Sequence, residues 1–498
     1  MSMAMNVTLA INTELMLADG SSLRIGQHLR VLPGRRLVCF GEWQGKQVLA
    51  KVFMGKRAAH YAERDANGVK RLLEAHLATP PLLAQTSSQA GDMQVLLYEA
   101  LTGAENAEQA LQAADASGRS AITRQLVEAV AAQHEAGLVQ TDMYPKNFLI
   151  ENGTLKHGTP ENATVHAIDG DGIRPLGRFF SSWRAWHNLA VLLAKLDPEV
   201  LDRDLPALVQ RYREVRQLGA GSVSPLLRRL IDACRWYASY QYADKKVLRT
   251  CSDVIVHKTS ALFTALNRQP PMTLLAVPSP AELDGWISQV ATAEALKRGN
   301  TSTVVRHDLD NVPVVIKRYN IKNFWHGIGR AWRQSRAAVS WRNGFRLQRY
   351  GIGTPKPLAL LEERWGPFRR RAYLLAEYLD APDVSGYFEQ PNLSDEDYLQ
   401  ACRHIARMFY QLKLLKISHG DCKASNIKMV NTTPYLIDLD SMQEHVSCYR
   451  FARYHARDLR RFMRNWPPQS RVYRMLAHAF ADIYRDAAFL KKAGISIN

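Results

Sequence analysis

The run His419-Gly420-Asp421-Cys422-Lys423-Ala424-Ser425-Asn426 is followed, after a short hydrophobic stretch, by Leu436-Ile437-Asp438-Leu439-Asp440. Phosphoryl transfer requires a carboxylate beside the attacking hydroxyl, an amide oxygen on one Mg²⁺, and a second carboxylate bridging metal to phosphates. Asp421, Asn426 and Asp438 supply these groups in that order. The short step from Asp421 to Asn426 lets one loop turn both side chains inward. Lys423 would neutralise the migrating phosphoryl, and His419 would tie the loop to the metal-side aspartate. An isolated D-x-x-x-x-N arises often by chance. The whole cluster, entered with strand-like Tyr435-Leu436-Ile437-Asp438, is much rarer.

At 498 residues the chain exceeds one ordinary core and favours two units or more. Met1 to Gly20 lacks a basic start and an apolar centre, and no uninterrupted apolar run is long enough to span a bilayer, so the expectation is a cytosolic or membrane-peripheral protein. The cysteines, Cys39, Cys234, Cys251, Cys402, Cys422 and Cys448, form no C-x-x-C pair, which argues against a disulfide framework or a zinc site. A net charge of +18 calls for acidic partners. Residues 1–270 hold 31 Lys+Arg against 26 Asp+Glu, and residues 271–498 hold 34 against 21, so the second half is the stronger anion binder. A nucleic-acid binder fits the charge but not the acidic sets, and none is expected.

The elements that must position these groups recur along the chain. Leu37-Val38-Cys39-Phe40, a Gly41–Gly45 turn and Gln47 to Phe53 read as a hairpin whose second strand carries Lys51, either a nucleotide ligand or an edge lysine reaching solvent. A helix from Tyr61 to His76 places Glu63 to pair with Lys51, and Thr79-Pro80-Pro81 ends it. Val95 to Glu99 reads as a strand running into a hinge, and Ile122 to Gly137 as a helix. Then come Asp142, Asn147 at the same spacing, and Asp169 after a hairpin. Asn267 to Asp284, with Pro270, Pro271, Pro278 and Pro280, reads as a linker. Beyond it the order restarts: Gly299 to Val304, with Thr301 and Ser302 placed to cover phosphates, then Val312 to Tyr319 carrying Lys317, Gly351-Ile352-Gly353-Thr354-Pro355, and Leu374 to Tyr378. This is duplication at domain scale.

These residues resemble the lipopolysaccharide core kinases of Gram-negative bacteria, the heptose and Kdo kinases, a branch of the protein-kinase-like fold. The likeness rests mainly on Val315 to Asn320, Ser340-Trp341-Arg342-Asn343, Gly351 to Pro355, the catalytic loop, Leu436 to Asp440, and Asp458 to Trp466. The first half looks like a diverged relative. The resemblance implies an α+β chain of two tandem bilobal kinase-like domains, residues 1–266 and 285–498, joined by a linker at 267–284. It implies ATP and Mg²⁺ as cofactors, with Asp421, Lys423 and Asp142 catalytic. Lys317, Lys51, Glu63, Thr301 and Ser302 would hold nucleotide, and Asn426, Asp438, Asn147 and Asp169 metal. The acceptor it implies is a sugar hydroxyl of lipid-linked lipopolysaccharide core at the cytoplasmic face of the inner membrane. Both halves depart from the family pattern. Gln140 replaces the loop histidine and Tyr144 the lysine in the first, and Ser340 stands where the second should carry the glutamate opposite Lys317.

No A-P-E follows Asp438 and a helical pattern begins within a few residues, so a glycan or small-molecule hydroxyl is expected rather than a protein one. On that helix Arg450, Arg453, Arg457, Arg460, Arg461 and Arg464 share one face, with Phe451, His455, Leu459, Phe462, Met463 and Trp466 on the other. The basic stripe is either a solvated face or a surface for a phosphorylated acceptor or an anionic membrane. A second basic-aromatic stretch joins Phe324, Trp325, Trp332 and Trp341 with Arg330, Arg333, Arg336 and Arg342, as a membrane interface or as core. Two rivals stand beside the lipopolysaccharide reading: a tandem pseudokinase scaffold, and a kinase of a soluble small molecule resembling the aminoglycoside kinases.

Overall fold

The computed structural model describes residues 9–151, 163–177, 179, 181–268, 278–290, 296–298, 302–309, 312–320, 334–366 and 368–496. It divides into two compact units, Met1–Arg235 and Trp236–Asn498. Each unit pairs a β-rich part with a helical part, an α+β kinase-like architecture.

In the first unit six antiparallel strands lie in the order Glu14–Met16, Ser22–Leu32, Arg36–Trp43, Lys46–Met54, Met93–Glu99, Leu82–Ser87. The expected hairpin is present, with Val38 opposite Lys51. Its turn is Gln44-Gly45, both at positive φ, the two-residue geometry that matches strand twist. The helix Ala58–Glu74 follows, and Ala58, Ala62, Asp65, Ala66, Val69 and Leu72 form its buried stripe. Gly68 lets it meet the chain after Asp169: a Cβ there would stand 1.9 Å from the Gly170 carbonyl oxygen. The helical part centres on Ala116–Glu135 and Pro198–Val215, whose core includes Leu126, Val130, Leu205 and Tyr212.

The second unit carries a seven-stranded antiparallel sheet in the order Val254–Lys258, Leu262–Asn267, Pro357–Trp365, Phe368–Glu377, Val312–Tyr319, Ser302–Leu309, Lys297–Arg298. The division between units falls at Arg235 and Trp236, not within 267–284. The two strands before Arg268 pair into the second sheet, Leu266 opposite Ala359. Within the expected linker, residues 269–277 lie outside the described set, and a helix Pro280–Gln289 begins at a capping box between Ser279 and Glu282. Of the second basic-aromatic stretch, Phe324, Trp325, Arg330, Trp332 and Arg333 lie outside the described residues. Trp341 is core: it is fully buried and its indole donates to the Val247 carbonyl at 2.9 Å.

The helix Asp395–Leu414 starts at Ser394, whose hydroxyl accepts from the Asp397 amide, with Asp395, Glu396 and Asp397 at its positive end and Lys413 in the last turn. It packs through Phe409 onto Phe462 and Phe480. The helix Cys448–Met463 has the expected two faces: Phe451, His455, Leu459, Phe462 and Met463 are buried, and all six arginines from Arg450 to Arg464 are exposed. Among the described residues no helix is long and apolar enough to cross a membrane.

Candidate active site

The second-unit loop is held from both ends. The strand Ile417–Ser418 leads into it, and the turn Ala424–Asn426 leads into the hairpin Ile427–Val430 with Thr433–Leu436. The Asn426 amide donates to the Asp421 carbonyl at 2.8 Å, and to its carboxylate at 3.3 Å. The His419 ring meets the Ile437 carbonyl at 2.9 Å, joining the loop to the residue before Asp438 as expected. Asp458 receives the backbone N–H of His419 at 2.7 Å and of Gly420 at 3.1 Å. Burial raises its carboxyl pKa against the pull of those amides. The motif around Gly353 fastens this hairpin from outside: a Cβ on Gly353 would stand 2.6 Å from the Pro434 carbonyl oxygen, and the Thr354 hydroxyl donates to the Leu436 carbonyl.

Asp438 sits at φ 59°, a left-handed conformation costly for a non-glycine residue. It pairs with Lys317, which also donates to Asp440 at 3.3 Å. Burial works against the charged lysine, but Tyr319, Asp440 and Asp438 together more than offset it, and the Lys317 pKa is raised. Ser340, on the helix Arg336–Arg349, does not replace the expected glutamate; its hydroxyl lies 3.0 Å from that of Tyr319. Burial pushes the Tyr319 phenol up to about 12. Asp440 does the missing work from the loop side. Its carboxylate also receives Arg336 at 2.7 Å, so it joins helix, loop and lysine. Asn343, two turns along the same helix from Arg336, donates to the carbonyls of Leu439 and Met442.

A cavity of about 430 Å³ opens beside this constellation, lined among others by Lys317, Tyr378, Lys423, Asn426 and Asp438. Thr301 lies outside the described residues. Ser302 is buried opposite Tyr319 and does not line the cavity, so the phosphate-covering role given to it has no support in its position.

The first unit assembles a set of its own, with one correction. Lys51 donates to both oxygens of Asp65, at 2.9 and 2.8 Å, and Glu63 is exposed on another face of the helix. Asp65 is fully buried and also receives the Tyr98 hydroxyl. Asp169, at φ 69°, lies 3.9 Å from Lys51 and from Arg36, and among the described residues its buried Oδ1 has no hydrogen-bond partner. Asn147 donates to the Asp142 carbonyl at 2.6 Å. Gln140 does not loosen the loop. Its amide donates to the Ile168 carbonyl at 2.9 Å, the bond made in the second unit by His419. Tyr144, two residues after Asp142, carries the Lys195 ammonium 3.1 Å from its ring centroid, bringing a cation to the loop from elsewhere in the unit.

Among the described residues no three His, Cys, Asp or Glu side chains converge as a metal cage. Asn426 and Asp438, and in the first unit Asn147 and Asp169, carry oxygen donors of the type that would hold Mg²⁺ if nucleotide phosphates completed its shell. The left-handed aspartates and the unsatisfied Asp169 oxygen fit that group.

A family model described as lipopolysaccharide kinase (Kdo/WaaP) family matches residues 47–212 and 286–484. Among solved structures, one titled WaaP in complex with acyl carrier protein is 20% identical over 44% of this chain and 89% of its own, with a TM-score of 0.32. No curated protein matches the sequence.

Proposed function

The chain belongs to the lipopolysaccharide kinase (Kdo/WaaP) family, a family of phosphotransferases, and from that premise we propose that residues 236–498 move the γ-phosphate of ATP to a heptose or Kdo hydroxyl of the lipid-linked lipopolysaccharide core. The observation that carries this is the convergence of Lys317, Lys423, Asn426 and Asp438 on one cavity, with Asp421 bonded to Asn426. Lys317 would hold the α and β phosphates, Asn426 and Asp438 the metal, and Lys423 would offset charge on the migrating phosphoryl. Asp421 would orient or deprotonate the acceptor hydroxyl. Bound Mg²⁺ supplies charge neutralisation on the phosphates. The test is transfer of labelled phosphate from ATP to purified inner-core glycolipid. A scaffold without turnover leaves the ATP intact, and a kinase of soluble acceptors is indifferent to the lipid.

The working site for this acceptor is the cytoplasmic surface of the inner membrane. Within the arginine stripe, Arg461 pairs with Asp421 and Arg460 donates to the Lys492 carbonyl, leaving Arg464 at one end and, toward the start of the helix, the three outward residues Arg450, Arg453 and Arg457. Val446 and Tyr449 are largely exposed at the same end. Basic residues near an anionic surface contribute about 1 kcal/mol each. Replacing these three arginines by glutamine should therefore weaken binding to phosphatidylglycerol-containing vesicles by about 10²-fold at low salt, and flatten its salt dependence. Equal vesicle binding by variant and parent across a salt titration would return the stripe to a solvated face.

A tandem reading extends nucleotide binding to residues 1–235. Lys51, Asp65, Asn147 and Asp169 support it, with Asp142 at the acceptor position. Equilibrium dialysis of the full chain should then find Mg²⁺-dependent ATP binding halved by Asp169→Ala. Unchanged stoichiometry would mark this set as a relic.

A further inference from the structure

We infer that Arg461 selects an acceptor that carries an anionic group beside the hydroxyl to be phosphorylated. This rests on the role proposed above for Asp421. Both oxygens of that carboxylate are engaged by the protein: Oδ1 pairs with the Arg461 guanidinium, and Oδ2 takes the 3.3 Å bond from Asn426. An acceptor hydroxyl needs an open lone pair on one of them, and Oδ1, the oxygen beneath Arg461, is buried. The Asn426 amide is pinned by its 2.8 Å bond to the Asp421 carbonyl and is buried, so it cannot withdraw without unmaking the loop. Arg461 can withdraw. Its side chain is 52% exposed, and ion pairs at such exposure are held weakly.

The group that draws Arg461 away must compete with a carboxylate. A neutral sugar hydroxyl does not; a phosphate or a sugar carboxylate does, because either offers two oxygens to the guanidinium fork. Arg457 and Arg464 stand one turn to either side of Arg461, both exposed, so an anion reaching Arg461 enters a field of further positive charge. The acceptor's own anion thus releases Asp421 as it anchors the sugar. An acceptor without that anion leaves Oδ1 covered and goes without the anchor.

The experiment uses the full chain, as wild type and Arg461→Gln. Three acceptors are compared: purified inner-core glycolipid, the same material dephosphorylated, and the same material with its sugar carboxyls reduced. Wild type should lose about 10- to 100-fold in kcat/KM on one of the two treatments, the span of a charge-assisted pair, and the treatment that does so identifies the anion. Arg461→Gln should act on intact glycolipid at about that reduced level, lose nothing further on either treatment, and bind ATP as wild type does. The inference is overturned if the variant discriminates among the three acceptors as strongly as wild type, or if wild type does not discriminate. Transfer to none of the three by wild type overturns the acceptor assignment itself, and this inference with it.

Discussion

Asp421→Asn is expected to lower phosphate transfer to inner-core glycolipid by about 10² to 10⁴-fold, the usual loss when a general base is removed, with ATP binding retained. The loop should survive the change. Asn426 is fixed on the Asp421 main-chain carbonyl, His419 on the Ile437 carbonyl, and Asp458 on two amides, and none of these bonds uses the Asp421 carboxylate. The substitution removes the acceptor's proton partner and the ion pair to Arg461, and leaves Lys317, Asp438 and the cavity alone. Turnover within a few-fold of wild type would end the assignment. Asp142→Asn on the same glycolipid sorts the two units. If each change removes a different phosphate, the chain is bifunctional; if only Asp421→Asn matters, the first unit supports the second.

The geometry of the loop from His419 to Asn426 is legible because its spacing is local: Asp421, Asn426 and Asp438 sit on one loop and one hairpin, and no distant contact decides their order. Glu63 yields the place opposite Lys51 to Asp65 for a reason that is also local. The inward stripe of its helix runs through Ala62, Asp65, Ala66 and Val69 at helical spacing, which points Asp65 inward and Glu63 away. That signal was in the sequence, whereas the part played by Asp440 was not. Its bond to Arg336 joins residues 104 positions apart, and no periodicity announces it. Gln140 belongs with Asp440, since an amide replaces the His419 imidazole only where tertiary structure brings the Ile168 carbonyl to it. The boundary between units was hidden because the strands from Val254 to Asn267 read as strands without revealing which sheet they join. The start of the helix at Pro280 was readable from Ser279 and Glu282.

Asp244→Asn is expected to destabilise residues 236–498 by about 3–5 kcal/mol, the cost of removing one partner from a buried ion pair. Asp244 lies in the π-helical turn Tyr240–Lys245, and its two oxygens hold Arg342 and Arg346, both on the helix that carries Ser340 and Asn343. The side chains of these three charged residues are exposed by only 15%, 14% and 7%. Burial presses the Arg342 pKa below its ordinary value, Asp244 opposes that, and the neighbouring Arg346 adds to it. An amide at 244 would leave two guanidiniums facing each other with half their compensation, although Arg346 keeps Glu444 at 2.9 Å and the Ser239 hydroxyl at 3.0 Å. For a unit of this size each kcal/mol is worth roughly 2–4 °C, so one calorimetric transition of the full chain should fall by roughly 6–20 °C while the other holds. The same helix fixes the Leu439 and Met442 carbonyls through Asn343. The variant should therefore bind ATP more weakly at temperatures where it is still folded, because the loop after Asp438 loses its anchor. A transition within about 1 °C of wild type would show that Asp244 contributes no more than an exposed pair.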